Sequence, residues 1–191
     1  MNRRTVFALL SLSFVSACGP SFSMLSSGTT LHDKDLTVVP VSDWNQGKGL
    51  PYQKNTVMLT ANGLGVDEVL IFAGVKDGET LLKSAKKLPT YRKDMLPNEV
   101  MELVRASYVI QYDTPIVNVS NLQPTEFAGT QGFQFDYAFT SKDEVKRHGR
   151  AIGGEINGKL YLMLLDAAAT YYYDELLPKF EQMAKSARVK T

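Results

Sequence analysis

The stretch Leu160–Leu165 constrains the fold more than any other in this chain. Leu160, Leu162 and Leu164 fall on one parity and Tyr161, Met163 and Leu165 on the other. Successive side chains of a strand point to opposite faces of its sheet, so a strand here is apolar on both faces. It belongs in the middle of a sheet with a layer packed on each side. Asn157-Gly158 stands just before it. That dipeptide favours the two-residue hairpin turn in which both central residues have positive φ. The antiparallel partner is then Lys146–Glu155.

Gln131–Thr140 has a different pattern. Phe133, Phe135, Tyr137 and Phe139 share one face, and Gln134, Asp136 and Thr140 the other. Strict alternation predicts one face on a core and one face on water or a partner. Shorter β-type runs precede it at Leu36–Val41, Thr56–Ala61 and Val69–Val75. Asn62-Gly63 and Asp77-Gly78 predict a hairpin after each of the last two. Two segments change to helical period. Residues 97–111 carry Val100, Leu103, Val104 and Ser107 at helical spacing, with Pro97 suited to a first turn. Asp174–Val189 carries Leu176, Leu177, Phe180, Met183, Ala184 and Ala187, with Pro178 near its start. The sum is an α+β domain: a largely antiparallel sheet of six to eight strands, with a middle and a C-terminal helix packed on it.

Three parts of the second half resemble the Mog1/PsbP-like proteins, an α/β/α sandwich group. They are the glycine-led strand Gly132-Phe133-Gln134-Phe135-Asp136-Tyr137, the hairpin end Asn157-Gly158-Lys159-Leu160-Tyr161, and the closing helix. In that closing stretch Tyr172-Tyr173 precede Leu177-Pro178 and Phe180, with Ser186 near the end. Asp43-Trp44-Asn45 and Gly65-Val66-Asp67-Glu68-Val69 resemble segments of uncharacterised bacterial lipoproteins. Members of the wider fold group are mostly non-enzymatic accessory or assembly proteins, so the resemblance implies that kind of role. A fold does not fix a function.

The N-terminus answers a different question. Arg3-Arg4 precede an apolar run from Val6 to Val15, too short to span a bilayer. A basic start, a short apolar middle and small residues at the end mark a secretory signal peptide. The end reads Val15-Ser16-Ala17-Cys18 and resembles the lipobox of bacterial lipoproteins. The resemblance implies cleavage before Cys18, an S-diacylglycerol on its thiol, and a fatty acid such as palmitate on the new amino group. Cys18 is the single cysteine of the chain, so no disulfide can form within it. Twin-arginine export is matched only in part by Arg3-Arg4-Thr5-Val6-Phe7, and general secretion fits better. Gly19 stands where enterobacterial inner-membrane lipoproteins carry Asp. The resemblance therefore implies the outer membrane, facing the periplasm, with the inner membrane as the alternative.

The expected organisation is a signal peptide over 1–17, a lipidated N-terminus and flexible tether over 18–35, and one globular domain over 36–191. Gly19–Thr30, rich in Ser, Gly and Thr, would reach about 20 Å as a coil. The chain holds 21 Lys+Arg against 20 Asp+Glu, and removing Arg3 and Arg4 leaves the mature part close to neutral. Nothing in that balance points to nucleic acid or to an anionic surface.

Candidate sites are few. His32-Asp33-Lys34-Asp35 offers one imidazole and two carboxylates to a metal. It has no second histidine nearby and Lys34 in the middle, and reads as a solvated polar loop. Lys146, His148 and Arg150 share one strand face, beside Arg147. They form either an anion grip or the charge that protects an exposed edge. Tyr171, Tyr172 and Tyr173 line either a ligand groove or the seat of the last helix. Trp44, the single tryptophan, is either a partner anchor or a core-edge residue.

There is no Gly-x-Ser-x-Gly elbow, no phosphate-binding glycine loop and no His-Glu-x-x-His, and no cofactor beyond the covalent lipid is expected. The expected function is a non-enzymatic, lipid-anchored envelope protein that binds a periplasmic or outer-membrane protein partner. A carrier or sensor of a small apolar or amphipathic ligand is the alternative. A hydrolase would need a pair such as Asp136 and Asp166 to converge.

Overall fold

A computed structural model describes residues 20–48, 50 and 56–190. In chain order the first elements are β1 (Ser21–Leu25), β2 (Leu31–Asp33), β3 (Leu36–Val38), β4 (Trp44–Lys48), β5 (Thr56–Thr60) and β6 (Asp67–Val75). Then come α1 (Pro97–Tyr112), β7 (Val117–Phe127), β8 (Thr130–Thr140), β9 (Lys146–Ile156), β10 (Lys159–Ala168), α2 (Tyr172–Lys185) and β11 (Arg188–Val189). One sheet has eight strands in the order β1-β4-β5-β6-β10-β9-β8-β7, with every pairing antiparallel. A second, three-stranded sheet has the order β11-β3-β2.

β10 lies inside the large sheet as its two-faced pattern requires. Tyr161, Met163 and Leu165 join Phe180, Met183 and Trp44 in the core under α2 and the small sheet. Leu160, Leu162 and Leu164 join Val104, Tyr108 and Phe135 in the core under α1. The hairpin before β10 has Asn157 at φ 54° and Gly158 at φ 72°, the pair of positive values that its turn type demands. On β8, Phe133, Phe135, Tyr137 and Phe139 are all buried on the α1 side.

Asn62-Gly63 does join antiparallel neighbours, β5 and β6. Its loop is held by Asp67, whose carboxylate accepts from the backbone N–H groups of Ala61 at 2.7 Å and Asn62 at 2.8 Å. Asp77-Gly78 makes no hairpin. The chain instead runs irregularly over the α1 side, burying Leu81, Leu82, Leu88 and Tyr91. Gly78 N–H donates to the Tyr91 carbonyl at 2.8 Å, so the turn closes on a loop rather than a strand.

Three other expectations need correction. Residues 20–35 are not a tether: β1 pairs along the whole of β4, and β2 forms a hairpin with β3. Leu25 and Leu31 bury their side chains in the α2-side core, which offsets the entropy of ordering a Ser-rich segment. The last helix stops at Lys185 rather than reaching Val189. Val189 pairs with Leu36 and Arg188 with Thr37, because strand pairing satisfies backbone groups that another helical turn would leave facing the small sheet. Finally, β9 lies between β10 and β8, so Lys146, His148 and Arg150 protect no edge.

Candidate functional site

The most ionised spot in the interior is on the α1 side. Asp166 of β10 lies across from Glu68 of β6. Arg147 of β9 donates from Nε to Asp166 Oδ1 at 2.7 Å and from Nη1 to the Gly65 carbonyl at 2.7 Å. Tyr108 Oη donates to Asp166 Oδ2 at 3.3 Å, and Tyr137 Oη to the Leu165 carbonyl at 2.9 Å. Burial pushes the Asp166 carboxyl above its ordinary range, with Arg147 working against it. Burial also opposes the Arg147 charge, but Asp166 and then Glu68 outweigh it and raise the guanidinium. Asp166, Tyr108 and Tyr137 are all buried, so no substrate reaches this carboxylate. The cluster is a clamp that ties β10, β9, α1 and the loop before β6 together.

The opposite side holds a surface chain of charges. Arg150 donates from Nε to Asp136 Oδ1 at 2.5 Å and from Nη1 to Glu181 Oε1 of α2 at 2.9 Å. Asn121 Nδ2 donates to the other Asp136 oxygen at 2.7 Å. Arg150 is thus committed to fastening α2 and is no free anion grip. Asp136 faces α2 while Asp166 faces α1, so the sheet itself separates the two carboxylates. The pair that a hydrolase would need does not form.

The tyrosine trio divides. Tyr173 is buried edge-on to the exposed His148, ring centroids 5.5 Å apart. Burial, with Asp136 next, pushes Tyr173 up to about 12. Tyr172 is half-buried against the α2-side core, and Tyr171 is exposed. Tyr172 and Tyr173 seat α2, and Tyr171 lies edge-on to Tyr172, ring centroids 5.3 Å apart. Trp44 is 1 % exposed, a core residue rather than a partner anchor. Lys34 sits at φ 53° in the turn between β2 and β3. Asp35 accepts from Tyr161 Oη at 2.8 Å and Lys159 Nζ at 3.1 Å, which fastens that hairpin to β10. No group of three or more His, Cys, Asp or Glu that could hold a metal ion occurs among the described residues. Cys18, on which the anchor reading rests, lies outside them.

An open groove lined by none of the candidate residues lies elsewhere on the surface. It has a volume of about 530 Å³ and lies at the N-terminal end of α1, walled by Leu96, Val100, Leu122, Pro124, Phe133 and Leu160. Three local features build it. Pro97 starts α1, and Glu99 turns back to accept the Leu96 N–H at 2.8 Å, leaving the Leu96 side chain 62 % exposed. The β7–β8 register shifts between Ser120 and Gln123, with Asn121 at φ 55°, and the bulge presents Leu122 outward. Gly132 and Gly154 contribute backbone to one wall. A Cβ on Gly132 would collide with the Gly153 carbonyl oxygen. One polar pair marks the rim: Tyr91 Oη donates to Glu155 Oε2 at 2.5 Å. Burial, and then Glu155, raise the Tyr91 phenol. The sequence signal was Leu96 ahead of Pro97, an apolar residue at a helix start with no buried face to join.

No protein-family model matches the chain, and no curated protein matches it. Among solved structures, cyanobacterial PsbP (CyanoP) from Synechocystis sp. PCC 6803 superposes with a TM-score of 0.53 over 95% of this chain and 99% of its own, at 15% identity. The fold is PsbP-like. LpqN, involved in cell envelope biogenesis of Mycobacterium tuberculosis, superposes with a TM-score of 0.37 at 10% identity over 93% of this chain and 88% of its own.

Proposed function

We propose that this PsbP-like chain is a non-enzymatic, lipid-anchored envelope protein that grips an apolar segment of a protein partner in the groove at the start of α1. The lipobox resemblance at Val15–Cys18 supports the anchor, and Gly19 supports the outer membrane. One observation carries the binding role. The groove is open and apolar, with Leu96 and Leu122 exposed at its mouth, whereas Asp166, Arg147 and Arg150 are tied into pairs elsewhere. Exposed apolar residues grouped around a concavity mark interaction sites, while the chemistry of an active site needs convergent free acids and bases.

A photo-crosslinking residue at position 122 in living cells tests this reading. A discrete protein adduct that Leu96→Glu abolishes supports it. No adduct, or one indifferent to Leu96→Glu, rejects it. A second reading has one observation in its favour. About 530 Å³ with a Tyr91–Glu155 pair at the rim also suits a small amphipathic ligand. Native mass spectrometry of protein purified from its own envelope would reveal a bound small molecule in that case.

A further inference from the structure

β1 brings the ordered domain unusually close to the proposed anchor. Ser21, its first residue, is three positions after Cys18. A chain spans at most about 3.6 Å per residue, so Ser21 lies within about 11 Å of Cys18 whatever path the backbone takes. That is little more than the thickness of one headgroup layer, about 5–8 Å. The domain has no long leash.

The strand so tethered is also the outermost of the large sheet and unlike its counterpart. β7, at the other edge, carries a bulge, Pro124 and Glu126, the devices that blunt a sheet edge. β1 reads Ser-Phe-Ser-Met-Leu, pairs with β4 in unbroken register and carries none of them. No Asp, Glu, Lys or Arg occurs from Cys18 through Leu31. Phe22 and Met24 stand on one face, 46 % and 73 % exposed. Phe22 leans on Gly47.

We propose that the β1 edge lies against the lipid surface, with Phe22 and Met24 entering the headgroup layer and the domain held in one orientation on the membrane. This rests on the lipid-anchor reading of Cys18. The lipid consumes the Cys18 thiol, so Met24→Cys creates the single free thiol for an environment-sensitive fluorophore. Ile116→Cys, exposed beside the far edge strand, is the control. The mature full chain is reconstituted in phosphatidylethanolamine/phosphatidylglycerol vesicles with brominated acyl chains. The expected result is blue-shifted, quenched emission at position 24 and water-like emission at 116. Phe22→Cys should repeat the result for position 24. Water-like emission at both 24 and 116 overturns membrane apposition while leaving the anchor intact. Self-quenching at 24 without bromine quenching overturns it in favour of edge pairing between two copies. Absence of lipid mass on Cys18 overturns the anchor and the apposition together.

Discussion

Arg147 and Asp166 form a buried ion pair on the α1 side of the sheet, closed over by Tyr108, which also bonds the carboxylate. Removing one partner of such a pair strands the other charge at a cost of about 3–5 kcal/mol. Arg147→Ala should therefore lower the unfolding free energy by about that amount in urea titration. Replacing both residues with apolar ones of similar size should cost much less. Equal losses for the single and the double variant would show that the pair is not acting as a unit.

Asp35 should make the fold acid-sensitive. Its partial burial opposes the charge, yet the bonds from Tyr161 and Lys159 hold the carboxyl below its ordinary value of 3.8. A carboxyl depressed in the folded state contributes stability above its unfolded pKa and loses it as pH falls through the folded one. Asp35→Asn should thus melt below the wild type at neutral pH, with the gap closing below about pH 4. A gap constant from pH 7 to pH 2.5 would contradict the assignment.

Two glycines separate steric need from conformational need. A Cβ on Gly153 would strike the Tyr161 carbonyl oxygen across the β9–β10 ladder, whereas one on Gly158 meets nothing and faces only a φ of 72°. Gly158→Ala should cost about 1 kcal/mol. Gly153→Ala should cost more, at or beyond the 1–3 kcal/mol typical of overpacking, since backbone cannot rotate aside. Thermal melts of the two variants check the order.

Leu25→Ala distinguishes a strand from a tether. Leu25 is 8 % exposed in the α2-side core, and truncating a buried leucine costs about 2–5 kcal/mol. Unchanged stability would return residues 20–30 to the status of a linker.

Leu96→Glu should leave stability within about 0.5 kcal/mol, because the side chain is mostly in solvent. A large loss would mean that Leu96 supports the start of α1 rather than presenting a surface. The stability of this variant in chemical denaturation decides how its binding result is read.

Much of the architecture was legible because its signals are periodic. The two parities of Leu160–Leu165 placed β10 inside the sheet, Asn157-Gly158 defined the hairpin before it, and the aromatic face of β8 is buried as its alternation required. β1 and β4 escaped notice because Ser, Asn, Gln and Gly carry weak strand propensity; their pairing comes from register with neighbours. The site was scarcely legible. His148, Arg150 and Tyr171–Tyr173 drew attention by composition, yet Arg150 proved to be a fastener and Tyr172 and Tyr173 a seat for α2.

By itself the sequence determined the quantities that follow from local order: the parities of β8 and β10, the turn before β10, the two helical periods, and the resemblance of Val15–Cys18 to a lipobox. Only the tertiary structure decided which side chains meet across long separations. It set Asp136 and Asp166 on opposite faces, brought Arg147 to Asp166, and opened the groove where Leu96, Leu122 and Phe133 converge. Periodicity is carried by neighbours along the chain. A cavity or an ion pair depends on strand order and register, and those are decided by which packing buries the most apolar surface while leaving no charge unpaired.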